Sequence, residues 1–102
     1  MAARDELNFV LLPYDSREAI GTNVAARRAG KSQRTIRKWC EEHGIGRHIA
    51  GGHWKVSVVA LAMFLDGETK ALSAYLAGDR DSEVVAAYFD RLGVPLRRRI
   101  LK

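Results

Sequence analysis

The sequence predicts a mainly α-helical fold in which two short helices meet at a glycine turn, run into a small β-hairpin, and are backed by further helices. Three observations carry this. Between Asn23 and Trp39 the chain spaces Ala26, Gly30, Ile36 and Trp39 as a helix-turn-helix requires: a small Ala lets two helices approach, Gly30 opens the sharp turn, and Ile36 and Trp39 seat the second helix. Gly51-Gly52 then divides two strand-like runs. From Ser57 onward, apolar residues recur at helical spacing rather than alternating.

Residues 1–21 read as an N-terminal arm. Phe9 to Leu12 is either a short strand or an extended stretch ending at Pro13, and Asp15 or Ser16 caps a helical turn through Ile20. Thr22 or Asn23 is an N-cap for the first clear helix, which Gly30 ends. Ser32 caps a second helix from Gln33 to about His43, closed by Gly44. Ile36, Trp39, Cys40 and His43 share one face of that helix; Gln33, Arg34, Arg37, Lys38 and Glu41 share the other.

The Gly51-Gly52 pair supplies the positive φ angles of a two-residue hairpin loop. In that register Ile49 opposes Trp54 and His48 opposes Lys55, so that Ile49, Trp54 and Val56 face the core while His48, His53 and Lys55 face outward. Ser57 caps a third helix through Leu65, ended by Asp66-Gly67. Two amphipathic segments follow, one from about Glu68 to Ala77 with Leu72, Tyr75 and Leu76 apolar, the other from Ser82 to Leu92 with Val84, Val85, Tyr88, Phe89 and Leu92 apolar. The elements together make a winged helix-turn-helix over residues 22–66, with a small two-stranded β-hairpin wing. Additional C-terminal helices and a basic tail over residues 67–102 pack with it as one domain.

At 102 residues the chain can bury about two-thirds of its unfolded surface without metal or disulfide staples. Cys40 is the lone cysteine, has no internal partner, and sits on the apolar side of a helix, which predicts a buried thiol in a reducing cytoplasm. Asp5 and Glu6 precede the first apolar run, unlike the layout of a signal peptide. The longest apolar stretch, Val58 to Leu65, is too short to span a bilayer.

Net charge is +5, and its distribution is uneven. Residues 1–16 carry −2, residues 17–55 carry +6, residues 56–92 carry −3, and the last ten, with Arg97, Arg98, Arg99 and Lys102, carry +4. A surface built for solubility alone mixes signs, whereas a one-sided basic patch attracts polyanions.

Chemistry on the second helix points the same way. A DNA major groove admits one α-helix, and Arg and Gln fit purine edges bidentately. Gln33, Arg34, Arg37 and Lys38 lie in its first two turns and are the candidate base readers. Arg27, Arg28, Lys31, Ser32, Thr35, Arg47, His48, His53 and Lys55 are the candidate phosphate contacts, which position a protein without specifying sequence. The bland alternative is a solvated basic face on an ordinary helical hairpin. For the wing, the alternatives are contact with phosphates or the minor groove, and simple cover of the core. Arg97-Arg98-Arg99 reads either as an arm reaching phosphates or as a solvated tail.

His43, His48 and His53 fall close in sequence, but on a helix end and two strands, with no cysteine or carboxylate pattern to complete a zinc site. No phosphate-cradling glycine loop, nucleophile elbow or metal-helix motif is present. Asp79, Asp81 and Glu83 read as capping and solvated acids. The expectation is therefore a protein that is not an enzyme and uses no cofactor or metal.

Asn23 to Leu65 resembles the winged helix-turn-helix of excisionases and the related MerR-type DNA-binding domains. The matching residues are Val24-Ala25-Ala26, Gly30-Lys31-Ser32, Thr35-Ile36-Arg37-Lys38-Trp39, and the block from Gly46 to Ser57 that holds Gly51-Gly52 and Trp54. The resemblance implies a helix beginning near Gln33 that enters the major groove and a wing laid against the backbone or minor groove. It also implies a small transcriptional regulator or a recombination directionality factor, with duplex DNA as partner and an integrase or RNA polymerase as possible protein partner. Two departures stand out: histidines occupy the wing tip where the family usually has arginines, and the long coiled-coil helix of MerR-type activators is missing after Leu65.

The sequence thus leads to a sequence-specific duplex DNA-binding protein, cytoplasmic and nucleoid-associated, with no membrane partner. The apolar surplus of the C-terminal helices leaves room for a homodimer, or for the competing function of a protein-interaction adaptor.

Overall fold

Glycines and short hydroxylated residues set most element boundaries. In the computed structural model, which describes residues 8–96, the α-helices are α1 (Thr22–Ala29), α2 (Gln33–His43), α3 (Val58–Asp66), α4 (Thr69–Leu76) and α5 (Glu83–Leu92). Ser32, Ser57 and Ser82 each turn a side-chain oxygen toward a backbone amide three residues on, at 3.1, 3.0 and 3.5 Å, capping α2, α3 and α5. Gly30, Gly44, Gly67 and Gly93 end α1, α2, α3 and α5 in the left-handed conformation. At α1 the cap is Gly21, without a side-chain bond, rather than Thr22 or Asn23.

Three short strands, β1 (Ala19–Gly21), β2 (Gly46–His48) and β3 (Trp54–Ser57), form an antiparallel sheet in the order β1-β3-β2. The expected hairpin is present as β2 and β3, and a third strand that the sequence did not predict, β1, joins it. Asp15 does cap a short turn, a 3-10 turn at Ser16–Glu18, but Ala19 and Ile20 leave it as a strand because β3 offers them a free edge, pairing Ile20 with Val56.

The hairpin register is corrected as well. Gly46 pairs with Val56, Arg47 with Lys55 and His48 with Trp54, one step away from the expected pairing. The tight turn is centred on Ala50-Gly51, at φ 54° and 72°, and closes with the Gly52 amide donating to the Ile49 carbonyl at 2.9 Å. Gly52 does not take positive φ. The consequence is that His48 shares a face with Trp54, their rings in tilted contact with centroids 4.1 Å apart, instead of facing outward with Lys55.

Gly46 is fixed by space. A Cβ there would collide with the Lys55 carbonyl and sit 2.8 Å from the Cys40 Sγ. β2 can therefore press against α2 only without a side chain at this position.

α3 is the centre of the molecule. Val58, Val59, Ala60, Leu61 and Met63 are all buried, so the helix is apolar nearly all round, as a helix packed on several sides must be. It touches α1, β3, α4 and α5. Phe64 receives Trp39 and His43 of α2 at centroid distances of 4.8 and 4.7 Å, which seats α2 as its Ile-Trp spacing predicts. His43 nonetheless stays exposed, and Val84 of α5, grouped by periodicity with the core, is 45 % exposed. Cys40 is buried; burial, with Glu41 adding to it, pushes its thiol up to about 12.

Residues of the N-terminal arm are integrated with the rest. The Phe9 amide donates to the Leu76 carbonyl at 2.7 Å, the Asn8 side-chain amide donates to the Gly44 carbonyl at 3.1 Å, and Val10 and Leu11 are fully buried. No helix among the described residues is long and apolar enough to cross a membrane.

Candidate nucleic-acid interface

The α1–α2 pair exposes most of the cations of this part of the chain. Arg27 and Arg28 lie in the last turn of α1, Lys31 and Ser32 in the connecting turn, and Arg34, Arg37 and Lys38 along α2; all seven are exposed. Those on α2 point outward for a local reason. Ile36 and Cys40 are buried against the core, so residues offset from them by a helical half-turn must point to solvent.

Individual partners sort these side chains. The guanidiniums of Arg34 and Arg37 have no hydrogen bond or ion pair among the described residues, and neither do the side-chain cations of Arg27, Arg28 and Lys31. Lys38 Nζ lies 3.9 Å from Glu42 Oε2 one turn along, a solvent-exposed pair that contributes little stability. Gln33 is held: the Thr22 hydroxyl donates to Gln33 Oε1 at 2.8 Å, across the mouth of the helix pair.

Ser32 is occupied by its cap. Its hydroxyl accepts from the Thr35 amide and donates to Thr35 Oγ1, both at 3.1 Å. Thr35 is therefore half-buried and internally bonded rather than free for an anion. What remains open at this helix start are the amides of Gln33 and Arg34, which precede the first internal helix bond.

The hairpin contributes less than the sequence suggests. Arg47 is turned inward, its Nε donating to the Val10 carbonyl at 2.6 Å and its terminal nitrogen to the Asn8 carbonyl at 2.7 Å. It holds the N-terminal arm and is not displayed as a phosphate contact. His48 Nδ1 lies 2.8 Å from the Gly52 carbonyl and its ring lies on Trp54, so it serves the loop's own structure. Only His53, exposed, and Lys55, half-buried, are left outward among the hairpin candidates. The Arg97–Arg99 tail lies outside the described residues.

A second polar group has no counterpart in the sequence pattern. Glu18, Ser57, Tyr75 and Arg80 are all buried. Arg80 donates to both Glu18 carboxylate oxygens at 3.2 and 3.1 Å, the Tyr75 hydroxyl donates to Glu18 Oε2, and Ser57 Oγ lies 2.8 Å from the Tyr75 hydroxyl. The Arg80 guanidinium also lies 5.1 Å over the Phe89 ring. Burial, then the Glu18 charge beside it, pushes the Tyr75 hydroxyl well above its ordinary value. Glu18 and Arg80 are far apart in sequence and each sits in a polar stretch, so no local pattern could have paired them. Their chemistry is structural: the four side chains bond one another where α3, α4 and the turn before β1 converge, and Arg80 Nη1 alone among the described residues is buried without a hydrogen-bond partner.

Asp79 Oδ1 accepts from the amides of Asp81 and Ser82 at 2.8 and 3.0 Å, and the bonds it accepts from Ser82 and Asp81 hold its carboxyl below the usual carboxylate range. It closes the turn that precedes α5, whose own cap is Ser82. Among the described residues no group of three or more His, Cys, Asp or Glu side chains is placed to hold a metal ion. Compared with protein-family models, with curated proteins and with solved structures, the chain matches none of them.

Proposed function

We propose that this protein binds duplex DNA sequence-specifically through a winged helix-turn-helix, with α2 in the major groove and the α1–α2 turn on the flanking phosphates. The observation that carries this is the pair Arg34 and Arg37 on α2, exposed and unpartnered among the described residues, flanked by the equally unpartnered Arg27, Arg28 and Lys31. Five exposed guanidinium or ammonium groups on one helix pair, none with an ion partner among the described residues, gain most from a polyanion. A regulator or a directionality factor would both use such a face.

In this reading the hairpin is the minor partner. Arg47 and His48 are committed to internal bonds, which leaves His53 and Lys55 as its contacts.

The competing function, an adaptor that docks partners on its C-terminal helices, is disfavoured by packing. Leu72, Tyr75, Val85, Tyr88 and Phe89 are buried within the chain itself, so the apolar surplus of α4 and α5 is used internally. The same burial weakens the case for a homodimer on that face.

The test is a titration of fluorescent random duplex at about 50 and about 200 mM salt. Four cations on phosphates, Arg27, Arg28, Lys31 and Lys55, require affinity to fall on the order of a hundredfold across that interval. Absent binding, or binding indifferent to salt, overturns the proposal.

A further inference from the structure

The groove-facing side chains of α2 differ from a general basic patch in one respect: they offer donors and almost nothing else. The guanidiniums of Arg34 and Arg37 and the ammonium of Lys38 donate and cannot accept. Gln33 is the residue that would ordinarily present both kinds of atom. Its oxygen, however, is held against α1 by the Thr22 hydroxyl at 2.8 Å, and the amide NH2 is the end of the side chain left without a partner among the described residues. Thr35, the remaining polar side chain at this helix start, has its hydroxyl engaged by Ser32. Glu41 is an exposed acceptor on the same side, but it lies in the third turn, beyond the residues that reach bases in this kind of docking.

A donors-only surface discriminates among bases. In the major groove guanine offers two acceptors side by side, N7 and O6. Adenine sets a donor beside its one acceptor, thymine sets a methyl beside its one acceptor, and cytosine offers a donor. Guanine alone meets such a surface at two points without leaving a donor facing a donor. We propose, on the footing of the DNA-binding reading above, that α2 reads guanines, and that Thr22 is a positioning residue which sets Gln33 to guanine by holding its amide oxygen away from the base. A free Gln would pair bidentately with adenine through that same oxygen. The specificity of one position is therefore decided from α1, by a side chain that touches no base.

The experiment is selection from a randomised duplex pool, followed by titration of the selected site. Enrichment of guanine at the contacted positions is expected, and replacing each such guanine by 7-deazaguanine, which lacks N7, should weaken binding by roughly tenfold. Thr22→Val removes the hydroxyl and frees the amide to rotate. At the one position that Gln33→Ala also affects, it should change the preference from guanine to guanine and adenine together. Thr22→Ser should restore guanine there, and the other positions should not move. Salt-sensitive capture of the pool without guanine enrichment, or a Thr22→Val profile identical to that of the parent, overturns this inference while leaving DNA binding intact. No capture even at low salt overturns both.

Discussion

Arg37 and Arg47 carry the same charge, lie ten positions apart, and have opposite fates. Arg37 is exposed and unpartnered among the described residues, while Arg47 holds two main-chain carbonyls of the N-terminal arm at 2.6 and 2.7 Å. Their truncations should separate cleanly. Arg47→Ala is expected to lower stability by about 1.5–3 kcal/mol, the worth of hydrogen bonds to a charged group, and to leave the salt dependence of DNA binding unchanged. Arg37→Ala or Arg34→Ala should leave stability within about 0.5 kcal/mol and cost about 1–3 kcal/mol on a cognate site, relaxing specificity there. Urea denaturation and binding isotherms on the same variants check both halves, and equal losses of Arg37→Ala on cognate and random duplex would remove its base-reading role. Gly46 is the residue-scale constraint on packing. Gly46→Ala drives a methyl into the Lys55 carbonyl and the Cys40 sulfur, neither free to retreat, and should destabilise by about 1–3 kcal/mol in thermal or urea unfolding.

At the scale of elements, the buried group of Glu18, Ser57, Tyr75 and Arg80 joins the turn before β1 to the start of α3, to α4 and to the loop before α5. A buried ion pair gives modest net stability when intact, because both charges have left water, but removing one partner strands the other. Arg80→Met is therefore expected to cost about 3–5 kcal/mol, and the double variant Glu18→Leu with Arg80→Met should recover part of that loss. A double variant no better than the single one would mean that the pair is not coupled. Tyr75 adds a pH dependence. Its folded-state pKa is raised above the ordinary value of 10.0, so the folded protein holds the phenol proton more tightly than the unfolded chain does. The stabilisation from this group is complete below about pH 10 and is lost as pH rises beyond it. Tyr75→Phe keeps the ring and removes the ionisation. Urea midpoints measured from about pH 9 to about pH 11 should fall less steeply for Tyr75→Phe than for the parent protein.

At the scale of the whole molecule, charge is segregated by architecture. The α1–α2 pair carries five cations without a partner among the described residues, while two acids of the C-terminal half are bonded internally: Asp79 binds two amides, and Asp66 accepts from Tyr88 at 2.8 Å and Arg91 at 3.1 Å. Residues 17–55 carry +6 and residues 56–92 carry −3, an asymmetry of the kind that steers a molecule toward a polyanion. Because Arg27 and Arg28 are assigned to phosphates, exchanging both for Gln should weaken binding about equally on all sequences and reduce the logarithmic salt slope by about 2. A loss confined to the cognate site would reassign them to base contact. The C-terminal helices pack most of their apolar side chains within the chain, Val84 excepted, and α2 is seated on Phe64 of α3.

The elements legible in the sequence are those fixed by local chemistry. Ser32, Ser57 and Ser82 cap helices because a short hydroxyl side chain reaches an orphan amide three residues on, and Gly30, Gly44, Gly67 and Gly93 end helices because a left-handed residue without a Cβ costs little. Helical periodicity is enough to put Ile36 and Cys40 inward and Arg34 and Arg37 outward, so the candidate face follows from the order of residues alone. Tertiary structure decided what depends on distant partners. The strand at Ala19–Gly21 exists because β3 has an open edge for it, and the hairpin register was set where His48 could stack on Trp54 and Ala50-Gly51 could turn. Arg47 was withdrawn from the surface by carbonyls of the N-terminal arm, Gln33 was oriented by Thr22, and Glu18 met Arg80 across most of the chain. A cap or a helix face is determined by neighbours within one turn and is written in order along the chain. The partner of a polar side chain is determined by where the backbone returns, and that is fixed only once the core has closed.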